Sequence, residues 1–96
     1  MELLHTMIRV KDIEKSLNFY KELLEMEVVR EKKFDDSTLY FLTDKNRIAQ
    51  IELTHNDNSP ESGYEIGTGF GHFGFKVESM DEFSKKIAQL GVQLFS

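Results

Sequence analysis

Two histidines and one glutamate, His5, His72 and Glu52, are the residues of this sequence best suited to metal chemistry. Glu52 stands within the apolar run IAQIELT, where a carboxylate is costly unless a partner or a metal ion neutralises it. Imidazole and carboxylate groups together form a nitrogen and oxygen ligand set, which suits Zn²⁺, Ni²⁺, Co²⁺ or Fe²⁺. Two histidines and one carboxylate would leave coordination positions open, as a catalytic site requires. The alternative interpretation is structural, with packed strand histidines and a solvated edge-strand glutamate.

The glycines around His72 raise a different hypothesis, because three of them have the G-x-G-x-x-G spacing of a dinucleotide-binding loop. Such a loop follows a strand and opens directly into a helix. Here a polar stretch precedes the glycines, and the next helix signal begins only at Ser79. The context therefore argues against phosphate binding, and we predict a strand over about 71–77 that carries His72.

Hydrophobic spacing and turn signals predict the order β-α-β-β-β, a linker, then β-α-β. The predicted strands cover about 3–10, 27–34, 38–43, 47–54, 71–77 and 92–95, and the predicted helices cover about 12–24 and 80–90. Ser79 and Glu82 form a capping box for the second helix, and Gly91 is its predicted stop. The longest polar stretch follows the fourth strand and contains the only proline, so we expect the linker there.

A shift of 67 residues aligns the first strand and helix with the strand predicted at about 71–77 and the helix predicted at about 80–90. His5 then coincides with His72, and the first helix cap, Asp12, coincides with the second, Ser79. Because strand, cap and helix keep one offset, we interpret the chain as a duplicated module. The later strands of the second copy would lie beyond residue 96, so the predicted fold is α+β, with paired βαβββ modules of which the second is incomplete. We expect one domain over 1–96, made of module one at about 1–58, a linker at about 57–67 and a partial module two at about 68–96.

Strand alternation places each candidate ligand on the same face as a polar or basic residue four positions later. His5 shares a face with Arg9, and Glu52 shares one with Asn56. A substrate bound at the metal would therefore meet these side chains.

Composition excludes several classes of function. The 96 residues carry a net charge of −5, and no run of Lys or Arg exceeds two, so nucleic acid and anionic membranes are not expected partners. The chain contains no cysteine, which excludes disulfides and thiolate chemistry. With no apolar run of membrane-spanning length and no signal-peptide pattern, we expect a cytoplasmic protein.

Three segments, LLHTMIRVKDIEKSLNFYKELLEM, IELTHN and YEIGTGFGHFGFKV, resemble in order those of the glyoxalase I (lactoylglutathione lyase) family of the vicinal oxygen chelate superfamily. The family fold pairs two βαβββ modules, in agreement with the repeat. The resemblance implies a metal-dependent lyase that isomerises the methylglyoxal–glutathione hemithioacetal to S-lactoylglutathione and so detoxifies methylglyoxal. It also implies a homodimer with the site at the interface.

By position, the resemblance implies His5, Glu52 and His72 as metal ligands, with one Ni²⁺ or Zn²⁺ per site and Co²⁺ as a further candidate. It implies that Arg9, Asn56 and His72 contact the substrate. Glu52 would be the catalytic carboxylate that moves a proton between adjacent carbons. The family's fourth ligand and main base mirrors Glu52 in the second module, at a position beyond residue 96, so we expect weaker activity than in an intact relative.

Two alternatives stay open. The first is another activity of the same superfamily, such as an epimerase, a dioxygenase or a resistance thiol transferase; the HTMIRV and IELTHN segments favour the lyase over these. The second is an inactive metal-binding fragment, or a half-barrel that only dimerises.

Overall fold

A computed structural model describes residues 1–92 of the chain, and these belong to two compact units. The first unit is Met1–Glu65, and the second begins at Ile66. No helix in residues 1–92 is long and apolar enough to cross a membrane. The elements are β1 (His5–Arg9), α1 (Ile13–Asn18, continued by a π-helical turn at Phe19–Leu23), β2 (Glu27–Lys33), β3 (Ser37–Thr43), β4 (Gln50–Asn56) and α2 (Met80–Leu90).

The four strands of the first unit form one sheet in the order β1-β4-β3-β2. β1 runs parallel to β4, whereas β3 is antiparallel to both β4 and β2. A parallel pair requires a crossover connection, which here consists of α1 and the β2-β3 hairpin. The βαβββ order predicted for the first module is confirmed.

β4 begins later than the sequence analysis predicted. The predicted start, Arg47, has a φ of 55°, which takes the chain out of the extended conformation. The Arg47 backbone N–H donates to the Asp44 carbonyl at 3.1 Å, and the Asn46 N–H donates to the Asp44 carboxylate at 3.0 Å. The segment before Gln50 is therefore a turn with an aspartate at its first position.

The core of the first unit combines side chains of the sheet with side chains of the helical segment. Leu42 and Leu53 are fully buried, and Ile51 shares their face of the sheet. Tyr20 and Leu23 are the buried residues of the helical segment. Burial of a side chain of this size contributes about 1.5–3 kcal/mol relative to exposure. Leu42, Ile51 and Leu53 thus form one buried face of the sheet, and Glu52 lies on the opposite face of β4.

Both predicted helix caps are present. The Asp12 side chain accepts a hydrogen bond from the Lys15 N–H at 3.1 Å, and the Ser79 hydroxyl oxygen accepts one from the Glu82 N–H at 3.2 Å. Each helix therefore begins with a side-chain acceptor for an unpaired N–H group, at the offset of the predicted repeat. Gly91 ends α2 with a φ of 68°, as predicted for a left-handed C-cap.

The predicted strand over 71–77 is wrong for the structure as described, because residues 66–79 contain no hydrogen-bonded strand. A strand is stable only when its backbone groups pair with a neighbour, and the described part of the second unit holds no other strand to pair with. The strand predicted at 92–95 extends past Val92 and so lies outside the described residues.

Candidate active site

Glu52 lies at the middle of β4, and both oxygens of its buried carboxylate have partners. Oε1 lies 3.2 Å from the Nε2 atom of His5. Oε2 accepts a hydrogen bond from the Thr54 hydroxyl at 2.6 Å. The side chain of Glu52 is only 9% exposed, so these contacts compensate for much of the solvation that the carboxylate loses. The predicted solvated edge-strand glutamate is thereby excluded.

The parallel pairing of β1 with β4 brings these residues together. Glu52 pairs with Met7, and His5 pairs with Gln50, so the imidazole of His5 reaches the carboxylate diagonally across the two strands. Arg9 pairs with Thr54 on the same face. His5 and Arg9 therefore lie on the same face of the sheet, as strand alternation predicts.

The separation of the His5 and Glu52 atoms suits two ligands of one metal ion. Bonds of about 2.0–2.2 Å to nitrogen and oxygen place neighbouring ligand atoms roughly 3.0–3.5 Å apart, and the observed distance is 3.2 Å. Within residues 1–92, however, no group of three or more His, Cys, Asp or Glu side chains is placed to hold a metal ion. The third predicted ligand, His72, is an exposed residue of the second unit. The structure thus brings together two of the three.

A phenylalanine that the sequence analysis did not single out contacts this pair. Phe41 of β3 pairs with Glu52, and its ring meets the His5 ring edge to face, with 5.4 Å between the centres and 76° between the planes. Such contacts favour one orientation of each ring. Alternation alone could not identify Phe41, because its place beside Glu52 depends on the register between two antiparallel strands.

Arg30 stands beside Phe41, on the same face of the sheet. Its guanidinium carbon lies 5.5 Å from the centre of the Phe41 ring, within the range of a cation–π contact. Arg30 pairs with Phe41 because the register of β2 shifts between Val28 and Arg30. The sequence analysis gave Arg30 no role, and only this irregularity shows which face it occupies.

Asn56, at the end of β4, is held by a small hydrogen-bonded group. The Tyr64 hydroxyl lies 3.3 Å from Asn56 Oδ1 and 3.1 Å from Ser59 Oγ. The Ser59 hydroxyl donates to the Asn56 carbonyl at 2.7 Å, so the single Tyr64 proton is shared between two acceptors, the Ser59 oxygen and Asn56 Oδ1. With its Oδ1 facing Tyr64, the Asn56 side chain has its NH₂ group left to donate to a ligand. The sequence alone does not indicate a role for Tyr64.

Comparison with known proteins gives one consistent family. The Glyoxalase/Bleomycin resistance protein/Dioxygenase superfamily matches residues 2–94. The chain is 42% identical to a probable lactoylglutathione lyase of Synechocystis sp., over 95% of this chain and 71% of the relative. It is 36% identical to the lactoylglutathione lyase of Neisseria meningitidis serogroup B, over 95% and 67%. Among solved structures, the glyoxalase I of Leishmania major, described as trypanothione-dependent, matches with a TM-score of 0.79 and 33% identity, over 95% of this chain and 67% of that one.

Proposed function

The chain belongs to the Glyoxalase/Bleomycin resistance protein/Dioxygenase superfamily, and from that premise we propose that it is a metal-dependent lactoylglutathione lyase. Its substrate would be the hemithioacetal of methylglyoxal and glutathione, and its product S-lactoylglutathione. The contact between His5 and Glu52 is the observation that carries the proposal, because it joins an imidazole and a carboxylate on the face that also bears Arg9. The names of the relatives support the choice of reaction.

His5 and Glu52 would hold one divalent ion, Ni²⁺ or Zn²⁺ or alternatively Co²⁺, with His72 as a third ligand. Nitrogen and oxygen donors of this kind suit those ions. When bound, the ion supplies Lewis-acid stabilisation of negative charge on the substrate oxygens. We place the site in a homodimer, at the interface, and the protein in the cytoplasm.

Glu52 would also move the proton. The reaction takes a proton from the carbon that bears sulfur and returns one to the adjacent carbonyl carbon, so substrate and product are isomers. The carboxylate can accept and return that proton without any other reactant. The hydrogen bond from Thr54 to Oε2 fixes the orientation of the carboxylate.

Arg9 and Asn56 would bind the glutathione part of the substrate. The Arg9 guanidinium is suited to a carboxylate, and the Asn56 amide is oriented by Tyr64 so that its NH₂ group can donate. Both residues lie at the carboxyl ends of the parallel strands β1 and β4. One extended substrate could therefore reach both of them from the metal ligands.

The test is thioester formation from methylglyoxal and glutathione by the metal-free chain, and again after addition of Ni²⁺ or Zn²⁺. We expect turnover only with metal, and its loss in His72→Ala. His55→Ala is the matched control, because His55 is paired with Thr38 on the face of β4 opposite Glu52. A folded chain that shows no turnover with either metal would contradict the proposal and favour an inactive metal-binding member of the superfamily.

A further inference from the structure

The Arg30 guanidinium lies next to the candidate site and has no carboxylate partner within residues 1–92. Its one described contact is with the ring of Phe41, and that ring in turn contacts His5. A single aromatic ring therefore separates this cation from a proposed metal ligand. Arg30 is also exposed, so its N–H groups can meet a ligand from solution.

A bulge in β2 places Arg30 on this face. Glu27 pairs with Thr43, so strict alternation would turn Glu27 toward the site face and Arg30 away from it. The register shift between Val28 and Arg30 reverses the alternation, and Arg30 pairs with Phe41. Bulges re-aim side chains and occur often beside active sites, so this one has a direct consequence for the chemistry of the face.

The site face is rich in cations although the chain as a whole is acidic. The net charge of the chain is −5, yet the face also carries Arg9 and Lys32, the latter with its ammonium 5.1 Å from the centre of the Phe34 ring. Its two strand glutamates already have partners, His5 and Thr54 for Glu52 and Arg47 for Glu27. Among residues 1–92, Arg30 therefore has no carboxylate partner on this face.

We propose that Arg30 binds a carboxylate of the substrate, and that the site selects anionic conjugates by this contact. The inference rests on the proposed function, since it concerns the same site. A guanidinium stacked on a ring keeps its N–H edge free, and that edge matches the two oxygens of a carboxylate. The carboxylate can belong either to the thiol part of the conjugate or to the group attached to its sulfur.

The experiment measures binding rather than turnover. Calorimetric titration of the whole chain uses three unreactive thioethers: S-methylglutathione, its dimethyl ester and S-carboxymethylglutathione. Arg30→Gln should raise the Kd of S-methylglutathione by about tenfold and leave that of the ester unchanged. If the group on sulfur supplies the carboxylate, only S-carboxymethylglutathione should bind more weakly. Either pattern supports the proposal and identifies the source of the carboxylate.

Two further variants make the experiment decisive. Lys33→Gln removes a positive charge from the same strand on the opposite face and should change no Kd, since Lys33 pairs with Thr38. Arg30→Lys keeps the positive charge but removes the planar guanidinium group, so it should recover part of the affinity. If Arg30→Gln does not fold, Arg30→Lys still tests the proposal. Unchanged Kd values for all three thioethers in both Arg30 variants would overturn the role of Arg30 and leave the lyase proposal standing. Binding that depends on Arg30, in a chain without metal-dependent turnover, would support the role of Arg30 and contradict the lyase proposal. A wild-type chain that binds none of the thioethers would overturn both proposals.

Discussion

The Nε2 atom of His5 lies 3.2 Å from the Oε1 atom of Glu52, although the two residues belong to strands separated by the whole crossover connection. Their contact depends on the parallel register of β1 and β4. It joins a nitrogen and an oxygen donor at a spacing that one metal ion can bridge.

Glu52→Gln should lower metal-dependent turnover by about 100-fold or more, because an amide cannot accept the proton that the reaction moves. Metal affinity should fall as well, since the carboxylate is a proposed ligand. Steady-state thioester formation and calorimetric Ni²⁺ titration measure the two effects. Glu27→Gln is the control, because Glu27 is an exposed glutamate whose described partner is Arg47, 2.8 Å away. Equal turnover in Glu52→Gln and Glu27→Gln would rule out Glu52 as the base.

Thr54→Val should destabilise the fold by about 1–3 kcal/mol, because it removes the donor to a buried carboxylate oxygen. The two side chains have nearly the same shape, so little packing is lost. Urea denaturation of the metal-free chain measures the free energy of unfolding. Thr6→Val, an exposed change on β1, should be within about 0.5 kcal/mol of wild type. If both variants unfold at the same urea concentration, the 2.6 Å hydrogen bond contributes nothing to stability.

Tyr64→Phe should raise the KM for the glutathione adduct by about threefold to tenfold and leave kcat nearly unchanged. Without the hydroxyl, the Asn56 side chain loses the contact at 3.3 Å that orients its amide. Tyr40→Phe is the control, since Tyr40 is paired with Leu53 on the face opposite Glu52. A fall in kcat at unchanged KM would show that Tyr64 acts in the chemical step instead.

The free energy of unfolding should fall at alkaline pH, because the buried Tyr20 phenol ionises there. Burial raises the pKa of Tyr20 above its ordinary value of 10.0, so the folded state favours the neutral phenol. Because its pKa is higher in the folded state than in the unfolded state, Tyr20 contributes to the free energy of unfolding. This contribution is complete below about pH 10 and is lost as the pH rises through the folded-state pKa. Tyr20→Phe should reduce the fall in melting temperature between pH 9 and 11. An identical pH profile in the variant would assign that fall to other groups.

The local features of the fold were predictable from the sequence. Asp12, Ser79 and Gly91 each act through the backbone of their own helix end, so their types and spacing suffice. The order of helix and strands along the first module was predictable for a similar reason, because turn residues separate its apolar runs. The strand predicted at 71–77 failed, since pairing depends on a partner strand that local sequence does not supply.

The candidate site was predictable only in part. His5 and Glu52 are candidate metal ligands by residue type. Strand alternation places Arg9 on the same face as His5, and Asn56 on the same face as Glu52. The contacts of Phe41 and Arg30 depend on antiparallel register and on a bulge, neither of which alternation reveals. The metal-ligand and substrate-binding roles of these residues stay predictions, His72 included.

The most direct test of the central claim is the Ni²⁺-dependent rate of thioester formation in His5→Ala compared with His55→Ala. Both substitutions remove a strand imidazole, but only His5 contacts Glu52. We expect the metal-dependent rate to fall by about 100-fold or more in His5→Ala and to be retained in His55→Ala. Equal rates in the two folded variants would contradict a metal site built on His5 and Glu52.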